Sequence, residues 1–166
     1  QSMVGKYLQV IVTTTDLYGG TGELSATTGQ VANVNDPPTF TSTPVTGATQ
    51  DASYSYTVTT NDVDNGSTVT LTGTTIPSWL SFNRATGKLT GTPRNSDVGN
   101  HSVVITATDG IVDVTQEFTI RVANVNDPLI GTVIISSKVA RFGQFLTASN
   151  TISDIDGLGT LNYQWN

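Results

Sequence analysis

The chain has 166 residues, a formal net charge of −6 and no cysteine, which allows one to two domains and excludes a disulfide framework or a thiolate metal site. The acidic balance, with no Lys/Arg cluster to offset it, argues against a nucleic-acid partner. Threonine (30) and valine (18) exceed a quarter of all residues, and no window sustains a 3.6-residue apolar period, so strands are expected throughout.

Residues 1–36 read as two strands, 6–15 with Leu8, Val10 and Val12 on one face, and 23–34. The connection, 16–22, is glycine-rich, and its Tyr18 is the one aromatic expected to be exposed. Two strands cannot bury a core alone. This stretch reads as the C-terminal part of an Ig-like domain, and both ends of the chain look cut from a longer polypeptide. There is no hydrophobic run of membrane length and no signal peptide.

Residues 37–127 read as a complete unit of seven short strands. Strand A is placed near 39–43 and strand B at 53–60, with Tyr54, Tyr56 and Val58 inward by alternation. The acidic loop 62–66 leads to strand C, with Val69 and Leu71 inward. Residues 76–82 supply a turn and strand D, where Trp79 is expected to anchor the core. The hairpin turn 83–87 enters strand E, 88–91. Strand F is 101–108, and strand G, 112–125, points Phe118, Ile120 and Val122 inward. Seven strands in about a hundred residues fit an Ig-like sandwich.

Residues 128–166 read as the N-terminal part of a further Ig-like domain. Strands are expected near 132–136 and 144–152, then the loop 153–157, then a strand with Leu161, Tyr163 and Trp165 on one face.

One heptapeptide punctuates this order. Val-Ala-Asn-Val-Asn-Asp-Pro occupies 31–37 and again 122–128, an offset of 91 residues, the size of one small β-domain. Each copy reads as a strand end, an oxygen-rich step and a proline that stops the ladder and keeps the preceding aspartate extended. The copies are therefore expected to be stiff joints between units. The flanks echo the middle: 2–16 parallels 96–109 with one gap, and SDIDG (153–157) parallels NDVDNG (61–66).

Strand parity places the acids, which are eleven Asp against two Glu. The B–C and F–G loops of the middle unit return to the pole where the chain enters it. Asp62, Asp64 and Asp109 are thus expected beside Asn33, Asn35 and Asp36 of the first joint. At the opposite pole Asn124, Asn126 and Asp127 of the second joint are expected to meet Asp154 and Asp156, with Asp97 and Asp51 able to approach. Carboxylates gathered in this way repel unless a cation binds. Asp and Asn oxygens suit Ca²⁺, which takes roughly 6–8 oxygens at about 2.3–2.6 Å, better than Mg²⁺. Against this stands ordinary turn chemistry, each Asp capping its own loop. An EF-hand is excluded, since neither acidic loop has its spacing or terminal Glu.

On these residues the chain resembles known families. The joint VANVNDPP, then DVDNG, then TATDG, is similar to the cadherin calcium joint. IPSWLSFNRATGKLTGTP and NSDVGNHSVVITATDG resemble the dystroglycan-type cadherin-like domains, also called putative Ig domains, of large bacterial surface proteins. The flanks resemble halves of Ig-like repeats in type I-secreted, RTX-type adhesins. The resemblance implies an all-β Ig/cadherin-like antiparallel sandwich with two flanking partial units. It also implies an extracellular, bacterial cell-surface setting and Ca²⁺ stiffening of tandem domains. Carried over by position, Asn33, Asn35 and Asp36 match the cadherin linker, Asp62 and Asp64 its Asp-x-Asp, and Asp109 its last ligand. The chain departs from the pattern where the linker opens on Asn rather than Asp, where Pro37 replaces the final Asn, and where Met3 stands in the place of Asp97. The acidic Asp-Arg-Glu motif of true cadherins has no counterpart.

An enzyme is the weaker alternative. His101 is the only histidine and lies in a strand, and the aspartates fall at poles rather than in a cleft. A calcium-dependent carbohydrate-binding or self-associating module is the stronger alternative. It would want exposed aromatics, whereas Tyr54, Tyr56, Trp79, Phe118 and Trp165 fall on core faces. Asn65 and Asn100 stand in glycosylation patterns, a chemistry out of place in a bacterial adhesin. The expected partners are neighbouring domains of the same polypeptide and, through the cut ends, head-to-tail or reciprocal copies. Neither nucleic acid nor membrane insertion is expected.

Overall fold

A computed structural model of the chain describes residues 3–64 and 66–165. Asn65, in the acidic loop and one glycosylation pattern, and Ser2, in the first echoed stretch, lie outside the described residues. Among the described residues there is no α-helix, only a 3-10 turn at Asn95–Asp97.

The middle unit is an Ig/cadherin-like β-sandwich. Strands β3 (Thr39–Phe40) and β4 (Gly47–Thr49) share the role expected of strand A. β5 (Tyr54–Thr57) and β6 (Thr60–Asn61) share that of strand B. β7 (Thr70–Thr75), β8 (Leu80–Asn83), β9 (Lys88–Gly91), β10 (Gly99–Thr108) and β11 (Asp113–Ala123) are strands C to G. One sheet runs β4-β11-β10-β7 and the other β5-β9-β8, with β3 paired to β6. Alternation decides what lies between them. Tyr54, Tyr56, Leu80 and Leu89 from one sheet meet Leu71, Val103, Ile105, Ala107 and Ile120 from the other. Leu89, Val103, Ile105 and Ile120 are 0% exposed, so each counts fully toward apolar burial.

The inward placements of Tyr54, Tyr56, Val58, Leu71, Ile120 and Val122 hold. β4 is absent from the strand pattern. It pairs in parallel with β11, Ala48 opposite Val122, and so carries the chain from one sheet to the other. Trp79 packs against the core as expected, but as a half-buried residue of the turn before β8 rather than of the strand itself. Its ring meets Tyr54 and His101 edge-on at 5.7 and 5.8 Å, and its buried indole N–H finds no acceptor. The turn lies so close to β9 that a Cβ on Gly91 would stand 2.1 Å from the Trp79 carbonyl oxygen. No side chain fits at 91 without moving backbone.

The flanks are hairpins. β1 (Tyr7–Thr15) pairs antiparallel with β2 (Thr21–Gln30), and β12 (Val133–Ile135) with β13 (Ala148–Asn150). β2 stops at Gln30, so residues 31–34 are not the strand end expected. In the second copy of the heptapeptide the strand does reach Ala123, held there by β4. Residues 161–165 form no strand, and Tyr163 and Trp165, expected on a core face, are 53% and 58% exposed. Among the described residues no second sheet faces them.

Candidate functional site

Both joints are tied by polar contacts that begin in local turn chemistry. In the acidic loop Asp62 accepts the Asp64 backbone N–H at 2.8 Å and the Ser67 hydroxyl at 2.8 Å. This Asx-type turn aims Asp64 inward, where only 9% of it is exposed. The Asp64 carboxylate then accepts the backbone N–H of Asp36, at 2.8 Å. From the F–G loop, Asp109 caps its own turn by accepting Ile111 and Val112 N–H at 2.7 Å each, and it accepts the Asn35 side-chain amide at 2.9 Å. Those backbone donors, Val112 first and then Ile111, with Asn35 added, hold the Asp109 carboxyl below the usual carboxylate range. The first joint therefore unites Asn35, Asp36, Asp62, Asp64 and Asp109. Asn33 is exposed and makes no side-chain hydrogen bond among the described residues.

The second joint repeats the arrangement. Asp154 accepts the Asp156 N–H at 2.8 Å, and Asp156 accepts the Asp127 N–H at 2.6 Å. Asn95 donates to the other Asp156 oxygen at 2.7 Å, and Asn124 also bonds that carboxylate. The Asp127 N–H is the chief cause that the Asp156 carboxyl lies below its ordinary value. Asn126 only closes on the neighbouring Asp127 carbonyl, at 3.1 Å. Asp97 does not approach: it accepts the Arg94 N–H, at 2.8 Å, and closes the 3-10 turn. Asn95 takes the place expected for it.

Sequence reasoning missed Gln50. It is 3% exposed and donates to Asp127 at 2.9 Å and to Asp51 at 3.2 Å. A lone Gln at the end of a three-residue strand carries no motif. The one available signal was its position beside Asp51. Beside this joint lies an open cleft of about 580 Å³, lined by Gln50, Asp51, Arg94, Asn95, Ser96, Asp127, Pro128, Ile130 and Ile155.

In kind, the oxygens of the first joint fit a hard cation. In arrangement, no three acidic or imidazole groups converge on a metal-holding position among the described residues. The carboxylates meet the joints through N–H donors instead. His101 contacts the Asp97 carbonyl at 2.6 Å, and Tyr18 is 98% exposed. Tyr54 donates to the Val45 carbonyl at 2.7 Å, and burial pushes its hydroxyl up to about 12. Asp16, the counterpart of Asp109 in the front hairpin, caps its own loop through Tyr18 and Gly20 N–H at 2.8 Å each. Among the described residues no helix is long and apolar enough to cross a membrane.

Comparison with curated protein sequences yields no match. Among solved structures, an endo-fucoidan hydrolase of glycoside hydrolase family 107 is 24% identical with a TM-score of 0.48, over 74% of this chain and 19% of that one. Extracellular cadherin domains 1–4 of protocadherin gamma B7 are 14% identical, TM-score 0.49, over 90% and 50% of the two chains. Human protocadherin-24 domains EC1-2 are 16% identical, TM-score 0.47, over 73% and 62%. The chain thus spans less than two thirds of each of these proteins, and about a fifth of the hydrolase. A family model described as "Putative Ig domain" matches residues 37–123, more than half of the 166 residues, and the chain belongs to that family.

Proposed function

We propose that the chain is a spacer segment of a large extracellular adhesion protein of the bacterial cell surface, akin to the RTX-type adhesins. In it a complete Ig-like domain, 37–127, stands between parts of two others, 1–36 and 128–166. Its work is mechanical: tandem units are held at set angles so that binding domains elsewhere in the polypeptide are projected. The observation that carries this reading is the repeated tie of a joint aspartate's N–H to the second aspartate of the next unit's Asp-x-Asp loop, 2.8 Å at Asp36–Asp64 and 2.6 Å at Asp127–Asp156. A free linker would have no reason to make the same bond twice.

At the first joint the residues that would hold Ca²⁺ are Asn33, Asn35, Asp36, Asp62, Asp64 and Asp109. The cation would supply charge neutralisation between carboxylates drawn from three segments. This chain's own residues bring the joint and the two loops together. Melting followed with Ca²⁺ and with chelator tests the calcium part, because a ligand of the folded state alone raises the midpoint. An unchanged midpoint removes calcium from the account and leaves the hydrogen-bonded spacer.

A second reading concerns self-association. Val10 and Val12 stand in the front hairpin where Val103 and Ile105 stand in β10, yet they are 65% and 59% exposed against 0% for both counterparts. In the middle unit β7 adds to the edge of β10, with Gly73 opposite Ile105 and Leu71 opposite Ala107, while the facing sheet covers Ile105. Leu161, Tyr163 and Trp165 carry the alternating apolar pattern of a strand in the last unit. A second copy's residues 161–165 would add beside β1 as β7 adds beside β10. A carbohydrate-binding role would rest on the exposed Tyr18, Tyr163 and Trp165, since Tyr54 and Tyr56 are buried.

A further inference from the structure

The second joint contains a polar cluster that a cation would not build. Gln50 is 3% exposed, and its backbone N–H is fixed on the Ala123 carbonyl at 3.0 Å. Its side-chain oxygen accepts the Val125 N–H at 3.2 Å. A backbone N–H can only donate, so this contact sets which end of the amide faces which way. The –NH₂ end must turn to the two carboxylates, Asp127 at 2.9 Å and Asp51 at 3.2 Å. Asp51 lies in the left-handed region, φ 59°, which Asp tolerates better than most residues. Across the joint, Asn95 presents its own –NH₂ to Asp156 at 2.7 Å, while Asp156 takes the Asp127 N–H.

Four segments are thereby stitched together: the end of β4, the linker, the 3-10 turn and the next unit's acidic loop. In the stitches made by the Gln50 and Asn95 side chains and by the Asp127 N–H, a neutral amide hydrogen, partly positive, occupies a carboxylate oxygen. At the first joint the Asn35 amide meets Asp109, whereas here the one Gln50 amide bridges two carboxylates, and a cation between Asp51 and Asp127 would have to displace it. The amides also separate Asp51 from Asp127, the task otherwise left to a metal. We infer that the second joint is a cation-independent lock in which Gln50 is the positioning residue and Asn95 its counterpart. Asn124, Asn126, Asp127, Asp154 and Asp156 then act as hydrogen-bonding groups, not metal ligands. The inference stands whether or not Ca²⁺ is held at the first joint.

The chain has no cysteine, so Glu117→Cys and Ser149→Cys, both exposed strand positions, admit a clean pair of spin labels across this joint in the full chain. The expected result is one narrow distance distribution, the same in Ca²⁺ and in chelator. Gln50→Glu, which keeps the shape and exchanges the donor for a fourth carboxylate beside Asp51, Asp127 and Asp156, should lose the narrow distribution in chelator. Asn95→Asp should do the same from the other side of the joint. A cooperative thermal unfolding transition reports whether each variant keeps its sandwich. A wild-type distribution that narrows only with Ca²⁺ overturns the inference without any variant. A narrow distribution kept by folded Gln50→Glu in chelator overturns it as well.

Discussion

The backbone N–H of Asp127 donates to the carboxylate of Asp156 across 2.6 Å, so the linker after one unit is bonded to the first acidic loop of the next. Asp36 and Asp64 repeat the relationship at 2.8 Å. In each case the accepting aspartate is the second of an Asp-x-Asp pair whose first member holds the turn. Under the proposed spacer function this bond gives each joint its preferred angle.

Asp64→Ala should loosen the first joint and destabilise the middle unit. The substitution leaves the Asp36 N–H without its carboxylate acceptor and opens the acidic loop, a cost on the order of 1–3 kcal/mol. Asp113→Ala, at the exposed start of β11, should stay within about 0.5 kcal/mol of wild type. Equilibrium denaturation of the two variants distinguishes them, and equal stabilities would contradict the role given to Asp64.

The joints should loosen in acid at a defined point. Donation by Asp127 first, then by Asn124 and Asn95, holds the Asp156 carboxyl below its ordinary 3.8. Asp109 is lowered from the same value by Val112, Ile111 and Asn35. A carboxyl depressed in the folded state contributes stability that is fully present above its unfolded pKa and is lost as pH falls through the folded one. Carboxyl-carbon titration by NMR should therefore show both midpoints below 3.8, with the joints intact above it. Midpoints at or above that value would contradict the bonding described.

Leu89→Ala should cost more than Trp79→Ala. Leu89 is 0% exposed between the sheets, and such truncations remove about 2–5 kcal/mol. Trp79 packs at the edge with an unpaired N–H, so its loss should fall at or below the ~3 kcal/mol low end for large aromatics. Thermal or denaturant unfolding of the pair checks the order. A Trp79→Ala protein that unfolds outright would restore this residue to the centre of the core.

The exposed hairpin face predicts concentration-dependent assembly. Light scattering on the full chain should give dimers or longer head-to-tail species, and a chain ending at Asp127 should be monomeric. Two monomers at high concentration would contradict the complementation of β1 by residues 161–165.

Much of the sandwich was legible because alternation is a local property. Tyr54, Tyr56 and Val58 announce a face on their own, and Ile120 and Val122 do so in β11. The joints were legible because a heptapeptide recurs. What escaped depended on partners distant in sequence. β4 is three residues whose strand character comes from lying beside Val122. Gln50 matters only because the linker returns to it from seventy-seven residues away. Trp79 looked like an anchor from its apolar neighbours, but the turn at Pro77 leaves it at the rim. Tyr163 and Trp165 carry a core pattern without a facing sheet, and a pattern cannot bury itself.

The amides of Asp36 and Asp127 test the central claim most directly, since each is the donor of the bond said to stiffen its joint. Backbone ¹⁵N relaxation of the full chain reads their mobility residue by residue. Stiff joints predict order parameters near the rigid-backbone value of about 0.85 at both positions, whereas values below about 0.6 would show flexible linkers and contradict the account.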